Sequence, residues 1–277
     1  MGTLTLTGTA VNGSLSGNGG GIYSTGALTL NTSSVSDNET FFGAGGGIDN
    51  AGGTLKVNSS SVSSNGSLVG GGIANSTGNA VLNDSSIFDN GTLGYGPGSG
   101  ISNTGTLSLV NTSVFHNFGG DGGGIANTSV ARLVNSPVYD NGTCGHCGGG
   151  GIANDGTMSM DNSPVYANTS EFAGGITNGG TMNMNNSPVT GNGSASVGGG
   201  IANGGTMNMN NSPVSGNLAG GGGGIYLFSG MMTLRNSSVS DNTASSGGGI
   251  YIVGGTLVLR NSSVSNNTPD DCVPVGC

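Results

Sequence analysis

The sequence is poor in several residue types on which common protein functions depend. Its 277 residues include no tryptophan, 6% charged residues and only four basic side chains. Four basic side chains cannot neutralise the phosphates of a nucleic acid, nor can they form a basic patch for a membrane surface. No run of about 18 apolar residues is present that could span a bilayer as a helix. The sequence therefore predicts no nucleic-acid partner and no membrane span.

The N-terminus also lacks the features of a secretion signal. The first ten residues, MGTLTLTGTA, have neither the basic start nor the apolar core of a signal peptide. We therefore expect residue 1 to be either the start of a mature chain or the boundary of a fragment.

Glycine is the residue that the chain has in abundance. There are 61 glycines, a content that usually accompanies disorder. Disordered chains are poor in apolar residues, however, whereas 33% of this chain is hydrophobic and Ile, Val, Leu and Met recur at regular intervals. With a net charge of −9, the composition predicts an ordered and acidic repeat protein.

One repeat organises the whole chain. The letters NGGTMNMNNSPV occur from Asn178 to Val189 and again from Asn203 to Val214, 25 residues later. A fixed period of this length is typical of structural units stacked on copies of themselves. An isoleucine, nearly always preceded by two or three glycines, marks each unit at spacings of 24 to 28 residues: Ile22, Ile48, Ile73, Ile101, Ile125, Ile152, Ile176, Ile201, Ile225 and Ile250. We therefore expect ten coils.

Each unit contains three short segments that resemble strands. One lies at the isoleucine, the second alternates apolar and polar residues, as in TLSL from Thr106 to Leu109, and the third has one apolar residue, as in SPVYDN from Ser136 to Asn141. Alternation with period two predicts strands with one buried face, and no segment has a helical period. The sequence therefore predicts an all-β fold, a single right-handed parallel β-helix over residues 1–277. Residues 268–277 are expected to form a short Cys loop that partly caps it.

Columns of like residues are expected along the rod. The Ile, Leu/Met and Val positions should form buried columns, and the methionines of the TMSM and TMNM segments should fill the core rather than bind copper. Asparagines recur two residues after the isoleucine, three after the valine and three before it. They predict one asparagine column at each corner, because Asn tolerates turn conformations and its amide can hydrogen-bond to the coils above and below.

The two motifs that recur in phase resemble those of known surface proteins. GGGI (Gly247 to Ile250) and VSDN (Val239 to Asn242) look like the Gly-Gly-Ala-Ile and Phe-x-x-Asn repeats of polymorphic outer-membrane proteins. The wider frame GGGIxNxGTLxLxNSxVSxN is similar to the pectate-lyase-like β-helix repeats of secreted bacterial surface proteins. The resemblance covers the whole chain, although Val or Ile stands here where the outer-membrane group has Phe. It implies adhesion and surface display for many members and polysaccharide cleavage for others.

One column of polar residues is a candidate for chemistry. The residues before the corner asparagines of three successive coils are Asp89, His116 and Asp140. Coils about 4.8 Å apart would bring them close enough to serve as acid and base or to hold a cation. The same column has Ser64 and Ala167 on the flanking coils, as expected of a solvated turn, and no arginine is in phase to bind a substrate carboxylate. We therefore predict no enzyme, metal or cofactor, and keep these three residues as the candidates for the alternative, a carbohydrate-active enzyme.

Aromatic residues occupy one outward position on four consecutive coils. Phe88, Phe115, Tyr139 and Tyr166 each follow the Ile/Val column, where neighbouring coils have Ser or Thr. A contiguous exposed aromatic surface is typical of a contact site. The stripe therefore predicts a binding surface for sugar rings or for another rod, and the alternative is a loop folded over it.

The cysteines are disulfide candidates: Cys144, Cys147, Cys272 and Cys277. The two pairs are too far apart along the rod for the roughly 7 Å limit between bridged Cα atoms, so each pair must close locally or join another chain. CGHC (Cys144 to Cys147) has the letters of a disulfide-isomerase site, but it lies in a glycine loop without the helix that such chemistry uses. A two-cysteine zinc half-site is a further alternative. Local disulfides favour an oxidising exterior.

Sequons of the form N-x-S/T also favour an extracellular chain. Those in the ladder columns should be inaccessible: Asn38, Asn65, Asn75, Asn90, Asn127, Asn141, Asn168 and Asn192. This leaves Asn31, Asn58, Asn83 and Asn266 as the glycosylation candidates.

Together these patterns predict an extracellular or cell-surface β-helix with a structural or adhesive role, such as a stalk, an adhesin segment or a fibre subunit. Its expected partners are copies of itself, stacked head to tail through open strand edges, or other surface proteins and glycans. A carbohydrate-active enzyme or glycan-binding module is the first alternative. An ice-binding surface is the second, because one column is rich in threonine: Thr54, Thr106, Thr157, Thr181, Thr206 and Thr256.

Overall fold

Four parallel β-sheets run along one rod. The computed structural model describes residues 2–274, and within that range every regular element is a strand. Each sheet takes no more than one strand from a coil, and its strands pair in parallel with their counterparts in the neighbouring coils. The predicted all-β, right-handed parallel β-helix is confirmed.

Sheets 1 and 4 have eleven strands each. The strands of sheet 1 are Thr3–Thr7, Ala27–Asn31, Thr54–Asn58, Asn79–Asn83, Thr106–Val110, Val130–Val134, Thr157–Asp161, Thr181–Asn185, Thr206–Asn210, Met231–Arg235 and Thr256–Arg260. The strands of sheet 4 are Ile22–Ser24, Ile48–Ala51, Ile73–Ser76, Ile101–Asn103, Ile125–Asn127, Ile152–Asn154, Ile176–Asn178, Ile201–Asn203, Ile225–Leu227, Ile250–Ile252 and Cys272–Val273.

Sheet 2 also has eleven strands, and sheet 3 has eight. The strands of sheet 2 are Ala10–Asn12, Ser34–Ser36, Ser61–Ser63, Ser86–Phe88, Ser113–Phe115, Val138–Tyr139, Val165–Tyr166, Val189–Thr190, Val214–Ser215, Ser238–Ser240 and Ser263–Ser265. The strands of sheet 3 are Leu15–Ser16, Glu39–Thr40, Gly66–Ser67, Gly91–Thr92, Phe118–Gly119, Gly142–Thr143, Thr169–Ser170 and Gly193–Ser194.

The structure corrects two details of the predicted repeat. There are about eleven coils rather than ten, because Cys272 takes the isoleucine position of the last coil, paired with Ile250. Most coils have a fourth strand of two residues, in sheet 3, whereas three strands were expected. These strands escape detection in the sequence because their residues are mostly Gly, Ser and Thr and lack an apolar alternation.

The core consists of the predicted columns. The isoleucine, Leu/Met and valine columns are buried over most of the rod, with members such as Ile125 and Val189 at 0% exposure. Met158 pairs with Met182 in the neighbouring strand, and both lie in the apolar core. The predicted packing role of the methionines is confirmed.

Contacts between coils require the glycine that precedes each isoleucine. A methyl group at Gly175 would lie 2.5 Å from the carbonyl oxygen of Gly200 and 3.0 Å from the side-chain carbon of Asn192. The same two kinds of neighbour, a backbone oxygen and a ladder asparagine, surround this position in the other coils. The GGGI motif therefore reflects a close approach for which only glycine has room.

We expect Gly175→Ala to lower the free energy of unfolding by about 2 kcal/mol or more, because the backbone oxygen that the methyl meets can move only by displacing the next coil. Gly193→Ala is the matched control, since its added methyl would have its nearest neighbour at 3.8 Å. Denaturant unfolding of both variants measures the difference. Equal stabilities would contradict the close approach at Gly175.

Two of the three predicted asparagine columns form buried ladders. In the column after the valines, Asn141 Nδ2 donates to Asn168 Oδ1 at 3.0 Å. In the column after the isoleucines, Asn127 Nδ2 donates to Asn154 Oδ1 at 2.7 Å. Each amide thus links its own coil to the next, as predicted for these two corners.

At the third corner the predicted asparagine column is formed on the surface, where Asn135 Nδ2 donates to Asn111 Oδ1 at 3.1 Å. Asparagines such as Asn135 are exposed there and take a left-handed conformation, with a φ of 48°. The buried ladder is made instead by the Ser or Thr that follows: the Ser136 N–H donates to Ser163 Oγ at 3.0 Å. The asparagine supplies the turn conformation, and the smaller hydroxyl fits beneath it.

Asp49 is an acidic side chain buried without a partner for one of its oxygens. It is 5% exposed, and its Oδ1 has no hydrogen-bond partner within the described residues. Burial raises the pKa of this carboxyl above its ordinary value of 3.8. The next coil has Ala74 in the paired position, also buried, so the fold does not require a carboxylate here.

We expect Asp49→Ala to stabilise the protein at pH 7, because ionising a buried and unpaired carboxyl costs free energy. The neutral form contributes stability below the unfolded-state pKa of 3.8, and that contribution is lost as the pH rises through the raised folded-state pKa. The advantage of the variant should therefore grow from about pH 3 to pH 7. Thermal unfolding across this range measures it, with the exposed Asp155→Ala as control. An advantage that does not change with pH would contradict the assignment.

Candidate functional site

The stack of Asp89, His116 and Asp140 predicted from the sequence is formed on three successive coils. His116 Nδ1 lies 3.7 Å from Asp89 Oδ1, and His116 Nε2 lies 3.7 Å from Asp140 Oδ2. The three side chains are 52%, 54% and 43% exposed, in that order. Both distances exceed the roughly 3.2 Å of a hydrogen bond, and water screens the charges. The geometry is that of exposed polar side chains in proximity, without a hydrogen bond that joins them directly.

The backbone accounts for the residue types in this column. Asp89 and His116 have φ of 55°, and Asp140 has φ of 52°. The next coils continue the left-handed conformation with Ala167 at 56° and Gly191 at 63°. Asn, Asp, His and Gly tolerate this conformation better than other residues. A turn position is therefore enough to explain why Asp and His occur here.

The stack does not converge on a cation site. Its two carboxylates face the two nitrogens on opposite sides of the His116 ring. Across residues 2–274, no group of three or more His, Cys, Asp and Glu side chains is arranged to hold a metal ion. The stack is best described as an acidic surface with a histidine at its centre.

The aromatic stripe beside the stack is formed as a ladder of parallel rings. The ring centroids of Phe88 and Phe115, and of Phe115 and Tyr139, are 5.0 Å apart, and those of Tyr139 and Tyr166 are 4.8 Å apart. Neighbouring ring planes agree within 5°. All four side chains are half-buried, so no loop encloses the stripe. Because the ring faces cover one another, the stripe presents mainly ring edges and hydroxyl groups to a partner.

The stripe and the acidic stack form one surface. The His116 ring contacts Phe115 edge-on, at 5.2 Å between centroids and 70° between planes. Burial raises the pKa of Tyr139, and the carboxylate of Asp140 raises it further. Burial also raises the pKa of Tyr166, with added effects of Tyr139 and Asp140. Both hydroxyls therefore stay protonated at neutral pH and can donate hydrogen bonds.

A groove on the other side of the stack contains an aromatic residue that the sequence analysis missed. It has a volume of about 430 Å³, and its lining includes His116, Asp140, Phe118 and Thr169. Phe118 is 60% exposed and pairs with glycines in both neighbouring coils of sheet 3. A phenylalanine in a column otherwise rich in glycine was the available signal, but it becomes visible only once the strands of sheet 3 are aligned. We call the stripe, the stack and Phe118 together the central face.

The CGHC loop carries two thiols, so the predicted disulfide between Cys144 and Cys147 is not formed in this structure. The two Sγ atoms are 3.6 Å apart, whereas a disulfide has a bond of about 2.05 Å. Burial, the Cys144 thiol and the carboxylates of Asp121 and Glu171 raise the pKa of Cys147 to about 12. In an isomerase site a helix N-terminus lowers the pKa of the attacking thiol, and no helix follows this loop among the described residues. For the second predicted pair, Cys277 lies outside the described residues.

The ladder sequons are inaccessible, as expected. Their eight asparagines are at most 2% exposed. Of the glycosylation candidates, Asn31, Asn58 and Asn83 are half-buried and linked in a chain, with Asn58 Nδ2 donating to Asn31 Oδ1 at 2.9 Å and Asn83 Nδ2 to Asn58 Oδ1 at 3.0 Å. Asn266 is exposed and is the most accessible of the four.

The threonine column considered for ice binding is interrupted. Asn79, Val130 and Met231 occupy the same position in register with the threonines. Ice binding needs a flat and regular array, which this surface does not provide.

Among the described residues, no helix is long and apolar enough to cross a membrane. No family model, no curated protein and no solved structure has a significant match to the chain. The resemblance to pectate-lyase-like and adhesin repeats therefore stays a prediction beyond the shared β-helix architecture, and the central face is the basis for inferring function.

Proposed function

We propose that the protein is an extracellular structural or adhesive rod that binds a second surface protein through its central face. The observation that carries this proposal is the ladder of four stacked rings, Phe88 to Tyr166, on four consecutive coils. The coil before the ladder has Ser63 at this position, and the coil after it has Thr190. Aromatic residues thus replace Ser or Thr on four successive coils, and the exposed Phe118 lies next to them. Protein contact sites are enriched in aromatic residues in the same way.

The orientation of the rings favours a protein partner over a glycan. A sugar ring binds by lying on an aromatic face, but these faces are taken up by the neighbouring rings. Ring edges and tyrosine hydroxyls suit side chains and backbone carbonyls instead. Asp89 and Asp140 border the stripe, and the chain carries a net charge of −9, so the partner is expected to present Lys or Arg at its rim.

Self-association end to end is a second element of the proposal. Among residues 2–274, the strand Thr3–Thr7 pairs on one side only, and the first coil exposes Leu4 at 48% and Leu15 at 62%. Such an edge pairs with a further strand, which either a preceding segment of the same chain or another copy can supply. Such a head-to-tail interface does not close, so it would propagate into fibres. Light scattering over a dilution series tests this element, and a strictly monomeric protein at high concentration would rule it out.

The double variant Phe115→Ser and Tyr139→Ser tests the central face. We expect it to weaken binding to purified surface and matrix proteins by at least tenfold, because stacked aromatics dominate contact energies. Tyr226→Ser with Tyr251→Ser is the matched control, since these rings stack at 5.5 Å on another face. Equal losses in both variants would contradict the proposal.

His116→Asn separates this function from the enzyme alternative, because asparagine keeps the left-handed turn. We expect binding to change by less than about threefold, since the His116 contacts are exposed and screened. A polysaccharide panel should give no cleavage products with the parent protein. Products that disappear in His116→Asn would favour the enzyme and overturn the structural assignment.

A further inference from the structure

Two exposed arginines lie side by side near the C-terminal end of sheet 1. Arg235 and Arg260 occupy the last positions of neighbouring strands and are in register. Within residues 2–274, neither has an acidic side chain within 4.0 Å, whereas Arg132 lies 3.4 Å from Asp161. Like charges directly opposite each other on neighbouring strands repel. The same position holds Asn185 and Asn210 in the two preceding coils, so the pair is a departure from the repeat.

A groove begins directly beside these arginines. It has a volume of about 500 Å³, and its lining consists of Asn236, Ser237, Ser238, Asn261, Ser262 and Ser263. The hydroxyls of Ser237 and Ser262 donate to the backbone carbonyls of Arg235 and Arg260 at 2.9 and 3.0 Å. The lining of the groove therefore starts at the residue that follows each arginine and contacts the arginine backbone.

The outer floor of the groove supplies unused hydroxyl groups. The hydroxyls of Ser238 and Ser263 make no hydrogen bond to other described residues, and both side chains reach solvent. In the four preceding coils this position is a proline, which has no donor: Pro137, Pro164, Pro188 and Pro213. Among the described coils, a serine at this position and an arginine at the end of the sheet 1 strand occur together only on these two coils.

We propose that Arg235, Arg260, Ser238 and Ser263 form a binding site for a sulfated sugar. Each guanidinium presents its N–H donors as a fork that matches two oxygens of an oxyanion. A carboxylate offers two oxygens, which match one guanidinium fork, whereas a sulfate ester offers three terminal oxygens and can face both guanidinium groups at once. The serine hydroxyls and the asparagine amides of the groove suit the hydroxyls of the sugar ring. A nucleic acid would need a wider basic surface than two arginines.

Affinity for dextran sulfate, compared with unsulfated dextran at low salt, tests the site. We expect Arg235→Gln with Arg260→Gln to weaken the binding of dextran sulfate at least tenfold. Lys56→Gln with Arg132→Gln is the matched control, because it removes the same two charges from exposed positions of the same sheet. Its affinity should stay within about threefold of the parent. Equal losses in the two double variants would mean that net charge alone governs binding, and would overturn the proposal.

Two further arms test the chemistry of the ligand. Ser238→Ala with Ser263→Ala should weaken dextran sulfate severalfold while leaving competition by inorganic sulfate unchanged. Binding of polygalacturonate or single-stranded DNA as tightly as dextran sulfate would overturn the assignment to a sulfated sugar. The site lies on coils outside the central face, so Phe115→Ser with Tyr139→Ser should leave this binding intact, and the two proposals can fail separately.

Discussion

Replacing Val189 by aspartate is expected to unfold the rod or to lower its melting temperature by on the order of 10 °C. Val189 is 0% exposed and lies between Val165 and Val214 in the valine column. A carboxylate placed there would have apolar neighbours above and below, and burying an unpaired polar group costs several kcal/mol. Every coil contacts the next, so the damage should extend into the neighbouring coils.

Asn183→Asp is the control for this substitution, because it introduces the same charge on the exposed side of the neighbouring sheet. Its side-chain oxygen accepts a hydrogen bond from Asn208 Nδ2 at 3.0 Å, and a carboxylate can accept the same bond. Circular dichroism melts of the two variants decide the outcome. A Val189→Asp protein that melts within a degree or two of the parent would mean that the column is wrongly assigned to the core.

Removing one amide from the inner ladder is expected to be almost as damaging. Asn141 Oδ1 accepts from the N–H and the Nδ2 of Asn117, at 3.0 and 2.9 Å. Its Nδ2 lies 3.0 Å from the carbonyl oxygen of Val114, 2.9 Å from that of Tyr139 and 3.0 Å from Asn168 Oδ1. Asn141→Ala removes all five of these bonds and leaves the buried N–H of Asn117 without its acceptor. A buried donor without a partner costs about 1 to 3 kcal/mol, and the other lost bonds add to this cost. We therefore expect a loss of about 3 kcal/mol or more.

Asn208→Ala provides the comparison, because it removes a single exposed amide bond and should change stability by less than about 0.5 kcal/mol. Hydrogen exchange adds a local measurement. In Asn141→Ala, protection should fall first at the coils that contact residue 141. A uniform or negligible loss of protection would indicate that the ladder does not hold the coils together.

Much of the fold could be predicted because each buried position repeats in every coil. Isoleucine, Leu/Met and valine recur in phase, and a register that buries one of them buries all of them. The short strands of sheet 3 could not be found in this way, since Gly, Ser and Thr carry no apolar signal. The buried Ser and Thr ladder beside the third asparagine column was missed for a related reason. Adjacent Asn and Ser both recur there, and only the turn conformation of Asn135 decides which side chain points inward.

The sequence predicted which residues form the candidate site better than it predicted how their side chains are arranged. Counting residues in phase with the repeat places Phe88, Phe115, Tyr139 and Tyr166 in one column and Asp89, His116 and Asp140 in the next. Stacked coils align equal positions of the repeat, so the members of each column lie close together. The repeat pattern does not reveal that the rings stack face to face, or that the carboxylate oxygens lie 3.7 Å from the His116 nitrogens. It also does not reveal that the left-handed turn alone accounts for Asp and His at these positions. The repeat pattern also misses Phe118, because the strands of sheet 3 have no apolar alternation.

By itself the sequence determined the architecture of this protein, because a one-dimensional repeat leaves few ways to bury its apolar columns and pair its strands. Only the tertiary structure decided what the surface offers. Which ring atoms are exposed, and whether Arg235 and Arg260 have an acidic neighbour, depend on side chains from different coils meeting in space. Core positions are constrained by burial alone, which every coil repeats. Surface contacts depend on orientations at the level of ångströms, which a pattern of residue types does not encode.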